Sequence, residues 1–193
     1  MGATPEQLLK VENHTLHTVA LAGTQLFNEG ENAVWESKEK EEQQFVTDYI
    51  ISQIKEYTNS IHTTEPYTFR AGTIVHIKTD ISAELKNPEN LKEVINTLHP
   101  TPAVCGLPKA EARDFLLEQE GYDCEYYSGF LGELNIDLEN GQPKTDLFVN
   151  LRCMKIKEDT AQLVIGCGMT KDSDPEKEFT ETVNKSRTMR RVI

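Results

Sequence analysis

The sequence predicts an α+β domain. β-rich stretches at 14–22, 66–77, 126–137 and 145–167 are bounded by glycine, proline and asparagine. Apolar stripes with helical spacing run through 37–58, 91–98 and 109–120, and a capped helix start lies at Ser173-Asp174-Pro175. The two kinds of segment interleave without a repeat or low-complexity tract. A chain of 193 residues can bury one sizeable core. Its 20 basic and 32 acidic residues give a net charge of -12, which disfavours a broad nucleic-acid-binding surface. No apolar run reaches the roughly 18 residues of a membrane span, and MGATPEQLLK has no basic-then-apolar leader pattern. The expected location is cytoplasmic, with no nucleic-acid or membrane partner. Cys105, Cys124, Cys153 and Cys167 form no CxxC or CxxH pair, so reduced, mostly buried thiols are expected rather than a zinc site.

Residues 4–10 and 14–22 read as two short antiparallel strands turning at Glu12-Asn13. A polar, acid-rich run precedes a helix from Ser37 to Thr58, whose apolar positions are Phe45, Tyr49, Ile50, Ile54 and Tyr57. Spacing puts Glu42 on that stripe, as a carboxylate on a packed face. Residues 66–77 read as strand, turn, strand, and 81–86 is ambiguous. Asn90 is a candidate cap for a helix over Leu91–Leu98 with Leu91, Val94, Ile95 and Leu98 inward. Three prolines and a glycine in 99–109 exclude a regular element there. A helix from Lys109 to Glu120 stops at Gly121. Residues 126–137 read as a strand with glycine breaks and Gly141-Gln142-Pro143 as a turn. Residues 145–156 and 161–167 form a hairpin across Lys157-Glu158-Asp159. Asp174 caps the last helix and Pro175 suits its first position.

Several groups can carry chemistry. Glu178, Glu181 and Lys185 share one face of the last helix. They read either as a surface salt-bridge ladder or as a carboxylate pair for a divalent metal, since magnesium prefers hard oxygen ligands. Glu42 is the distant candidate to join them. The loop 165–170 (IGCGMT) has Gly166 and Gly168, which let backbone N–H groups approach an anion before a helix start, or simply shape a turn. Arg152 is an edge arginine or a carboxylate clamp. His99 is a structural residue or a hydrogen-bonding group for a migrating oxygen. His14 and His17 fall on opposite faces of a strand and do not suit a metal. Glu6 is a candidate acid beside apolar neighbours.

Together the segments GATPEQLL (2–9), ALAGT (20–24), KEEQQFVTDYI (40–50), LHPTPAVCGLP (98–108), YYSGFLG (126–132), VNLRC (149–153) and GCGMTKDSDPEKEFTETVNK (166–185) resemble the chorismate-utilising enzymes, in order and over nearly the whole chain. The 98–108 segment is most similar to the isochorismate synthase branch. The resemblance implies β-sheet layers flanked by helices, an incomplete anthranilate/isochorismate synthase-type fold. Residues 1–193 would be the C-terminal portion of a chorismate-binding catalytic domain. It implies a magnesium-dependent isomerisation of chorismate to isochorismate, feeding menaquinone or siderophore synthesis. Glu42 and Glu181 resemble the family's direct magnesium ligands, although Gln43 stands where a histidine is usual, and Glu178 resembles the nearby third glutamate. Lys185 resembles the lysine supporting the site. Arg152 and the backbone at Gly166 and Gly168 resemble carboxylate binders. Tyr127 and Gly129 resemble the Tyr-x-Gly element near the ring, His99 the ring-facing histidine, and Glu6 the acid that protonates the departing C4 hydroxyl. The family's water-activating lysine lies upstream of GATPEQLL, where this chain has only Met1. Weak or no turnover by this chain alone is therefore expected, with a further segment, a separate chain or self-association completing the fold. Salicylate, anthranilate or aminodeoxychorismate synthesis, or non-catalytic chorismate binding, are the alternatives.

Overall fold

A computed structural model describes residues 2, 6–27, 29–30, 33–72, 74–136, 143–191 and 193. The chain divides into two compact units, one formed by Gln7–Ala103 and Gly132–Leu147, the other by Met1–Glu6, Val104–Leu131 and Phe148–Ile193.

The first unit is built on a sheet. Strands β1 (Gln7–Glu12) and β2 (Thr15–Leu26) form a hairpin with Lys10 opposite His17 and Glu12 opposite Thr15. Its two turn residues, Asn13 and His14, both have positive φ (49° and 65°), the backbone twist that a tight antiparallel turn requires. The turn falls one residue later than expected. β3 (Thr58–Thr63) and β4 (Tyr67–Ala71) both pair with β5 (Ile74–Leu85), and β5 pairs along β2 from Thr15↔Glu84 to Leu26↔Ile74. The ambiguous residues 81–86 thus mostly continue β5. Its alternating buried positions, Val75, Ile77, Thr79, Ile81, Ala83 and Leu85, show why it lies centrally. With β6 (Phe130–Ile136) and β7 (Lys144–Val149), the described residues form a seven-stranded sheet of order β3-β5-β2-β1-β7-β6, with β4 also on β5. The expected turn at 141–143 lies outside the described residues except for Pro143.

Helix α1 (Ser37–Ile54) packs on this sheet through only part of the expected stripe, Ile50 and Ile54. Its buried residues are Gln43, Thr47, Ile50 and Ile54, while Phe45 is 64% exposed. Gln43 Nε2 donates to Thr47 Oγ1 at 2.9 Å and to Thr79 Oγ1 of β5 at 2.8 Å. Two polar residues are buried because they satisfy each other, a pairing that apolar periodicity does not register. Thr58 belongs to β3 rather than to the helix, and its hydroxyl donates to the Ile54 carbonyl, closing the last turn. α2 (Leu91–Leu98) buries all four expected residues. The capping side chain before it is Asn87, which accepts from the Glu89 N–H of a preceding 3₁₀ turn, not Asn90.

In the other unit, α3 (Pro102–Cys105) supplies one helical turn in the proline-rich segment expected to be irregular. It joins residues 102–103 of the first unit to this one. α4 (Lys109–Gln119) ends before Gly121, whose φ is 63°. The hairpin β8 (Cys153–Lys157) and β9 (Thr160–Val164) turns at Glu158-Asp159. The strand expected over 145–156 is broken at 150–152, between β7 and β8. α5 (Pro175–Arg190) starts as expected, with Asp174 accepting from the N–H groups of Glu176 and Lys177. The four cysteines are free thiols, with Cys105 buried and the others half-buried.

Candidate active site

Most of the candidate residues lie in the unit that contains α5. Asp174 sets the start of this helix, and its sheltered positions then recur as Glu178, Glu181, Lys185 and buried Met189. The offsets of three and four residues keep them on one face. Lys185 Nζ lies 2.6 Å from Glu181 Oε1 and donates to the Gly166 carbonyl at 3.2 Å. The lysine is only 18% exposed. It is therefore not an outlying member of a surface ladder but a tether between α5 and the glycine loop.

Arg152 and Glu6 join the same electrostatic cluster. Arg152 does not alternate within a strand; its φ of 46° turns the chain between β7 and β8. Burial lowers its pKa, while the negative charges of Glu6 and Glu181 oppose that shift. Glu6 precedes β1, and its carbonyl accepts from the Val149 N–H at 3.0 Å. Burial pushes its carboxyl above the ordinary 4.5, with Arg152 and then Lys185 pulling the other way. Desolvation outweighs the two cations, and the shift is upward.

Tyr127 closes another side. Burial is the main cause that pushes its phenol up to about 12. Its hydroxyl lies so close to the Gly166 α-carbon that a methyl group there would collide with it. Gly129 belongs to the same turn, its N–H donating to the Tyr126 carbonyl at 3.3 Å. Nothing lies within 4 Å of the position a Gly168 side chain would occupy. The helix that follows does not supply the expected anion site directly: residues 171–174 intervene, and the Asp174 carboxylate occupies its first N–H groups. Between the glycines, burial and the charges of Glu178 and Glu181 raise the Cys167 thiol pKa, so it is not an activated nucleophile.

Glu178 and Glu181 have the chemistry that magnesium prefers, two carboxylates on a half-buried helix face, with Lys185 bound at one oxygen of Glu181. Among the described residues, no group of three or more His, Cys, Asp or Glu is gathered to hold a metal. Glu42 belongs to the sheet unit. It is half-buried on the shoulder of α1 rather than on its packed stripe, 3.9 Å from Lys38. His99 also belongs to that unit, half-buried at the end of α2 and followed by a cis peptide bond to Pro100.

Glu6 with its raised pKa, the half-buried Arg152, a helix carboxylate pair and a glycine loop thus belong to one unit. Residues 1–193 match the family described as chorismate binding enzyme, and the chain belongs to that family. It is 30% identical to the salicylate biosynthesis isochorismate synthase of Pseudomonas aeruginosa, over all of this chain and 41% of that protein. It is 29% identical to the isochorismate synthase MenF of Escherichia coli, over all of this chain and 45% of that protein. The solved structure of the menaquinone-specific isochorismate synthase MenF from Escherichia coli matches with a TM-score of 0.84 at 28% identity, covering 98% of this chain and 44% of that one. The α+β fold is thus that of the isochorismate synthases, and the chain spans less than half the length of these relatives.

Proposed function

We propose that this chain carries the acid and substrate-binding side of a magnesium-dependent isochorismate synthase site. The observation that supports this most is Glu6, raised by burial yet flanked by Arg152 and Lys185. In the reaction, water adds at C2 of chorismate and gives a proton to a base, the ring double bond shifts, and the C4 hydroxyl leaves as water after taking a proton from an acid. Glu6 provides that proton because its neutral form persists above the usual carboxylate range. Arg152 binds a substrate carboxylate, for which a planar two-donor cation is suited. Lys185 holds the Gly166 carbonyl and adds positive charge. Tyr127 stays neutral and packs the glycine loop beside the ring. Glu178 and Glu181 would hold magnesium. When bound, the ion supplies positive charge toward a substrate carboxylate.

Calorimetric titration of chorismate with and without magnesium, joined to chromatography of the products, tests this reading. Magnesium-strengthened binding that Arg152→Ala abolishes supports it, and isochorismate as product fixes the branch. Salicylate or anthranilate would move the chain to another branch. Binding without turnover would make it a chorismate-binding module. No binding under either condition overturns the assignment.

A further inference from the structure

Asn150 is not among the groups assigned to chemistry above, yet it joins the three chain segments that carry Glu6, Tyr127 and Arg152. It is 7% exposed and follows β7 directly. Both its side chain and its backbone are engaged. Asn150 Nδ2 donates to the Tyr126 carbonyl at 2.7 Å. Its N–H donates to the Gly129 carbonyl at 2.8 Å, and its own carbonyl accepts from the Ser128 N–H at 3.0 Å. The turn holding Tyr127 is thus gripped on both sides, with Ser128 in the left-handed region at φ 59°. The third segment is the N-terminal one. A methyl at Gly2 would meet Asn150 Oδ1 at 2.8 Å, and Gly2 bridges to Cys153. One residue before Asn150, the Val149 N–H donates to the Glu6 carbonyl; two residues after it, Arg152 takes a positive φ of 46°.

We infer that Asn150 is a positioning residue, which through its three hydrogen bonds to the 126–129 turn and its close contact with Gly2 holds Tyr127 against Gly166 and aligns Arg152 with Glu6. It replaces regular strand pairing at 150–152 with side-chain and backbone bonds to a distant turn. That exchange lets the chain leave the ladder at the point where Arg152 is needed. The arrangement is a property of the folded chain; its bearing on substrate binding rests on the function proposed above.

The test compares wild type with Asn150→Asp, which keeps the shape and Oδ1 but cannot donate to Tyr126, and with Asn150→Ala. Met189→Ala serves as a control for general loosening of the same unit. Amide hydrogen exchange is followed residue by residue, and Tyr127 ionisation by NMR, assigned with Tyr127→Phe. Both Asn150 variants are expected to accelerate exchange at Tyr127, Ser128 and Gly129 on the order of tenfold, beyond any change elsewhere. The Tyr127 phenol should titrate closer to 10, its ordinary value. Asn150→Ala should also loosen Cys153, and Asn150→Asp should not. Met189→Ala should raise exchange across the unit without singling out 126–129. Unchanged 126–129 exchange and an unchanged Tyr127 in either folded variant would overturn the inference. So would a pattern indistinguishable from that of Met189→Ala. If Asn150→Ala does not fold, Asn150→Asp alone decides. Because no substrate is used, failure here is separate from failure to bind chorismate.

Discussion

Lys185 Nζ is shared between Glu181 Oε1 at 2.6 Å and the Gly166 carbonyl oxygen at 3.2 Å. One lysine thereby fixes the distance between α5 and the glycine loop. Lys185→Met keeps most of the stem's packing and removes the charge. It should lower unfolding free energy by about 1–2 kcal/mol in urea, because a sheltered carboxylate loses its partner. Chorismate binding should weaken on the order of tenfold. Unchanged binding would show that the tether does not bear on the site.

Glu6 gives the protein a pH signature. Its folded pKa lies above its ordinary 4.5 because burial outweighs Arg152 and Lys185. The folded state therefore binds a proton more tightly than the unfolded state does. This contribution is fully present below 4.5 and is lost as pH rises through the folded pKa. Stability measured by urea unfolding should fall over that window in wild type and fall less in Glu6→Gln. Parallel pH profiles for the two proteins would contradict it. The same substitution should leave chorismate binding nearly intact and remove turnover wherever turnover is observed, as expected for a proton donor rather than a binding group.

Gly166 and Tyr127 should be energetically coupled. A methyl at Gly166 collides with the Tyr127 hydroxyl, so Gly166→Ala should cost about 1–3 kcal/mol. Tyr127→Phe removes the colliding oxygen and should recover part of that loss. A double-mutant cycle on unfolding free energies measures the coupling, and strict additivity would be evidence against the contact.

In the sheet unit, Gln43→Leu should destabilise by about 1–3 kcal/mol because the Thr47 and Thr79 hydroxyls lose their donor. Thermal unfolding of Gln43→Leu, alone and with Thr79→Val, tests this. The second change should recover part of the loss by removing one stranded hydroxyl.

What the sequence made legible follows from how local each signal is. The stripe of α2 could be read because Leu91, Val94, Ile95 and Leu98 are all apolar and all buried. The start of α5 could be read because Asp174 and Pro175 act on their immediate neighbours. The inner face of α1 could not, because Gln43 and Thr47 enter the core by bonding Thr79 of another element. The break in the strand expected over 145–156 was hidden for a similar reason: β7 stops at Val149, and Asn150 bonds the distant 126–129 turn. The family resemblance pointed to Glu6, Arg152, Glu181 and Lys185, whose charges interact in the fold: Glu6 with Arg152 and Lys185, and Glu181 with Arg152 and Lys185. The raised pKa of Glu6 was beyond local reading, since it depends on surroundings assembled from far along the chain.

The strand order has a consequence for how the molecule is made. β1 and β2 emerge from the ribosome together and can pair at once, but the other neighbour of β1 is β7, more than a hundred residues later. Until that strand is synthesised, one side of the nascent hairpin has unpaired backbone groups. Contacts this remote in sequence close slowly. Translation speed and chaperone supply, rather than final stability, should then set the soluble yield on expression.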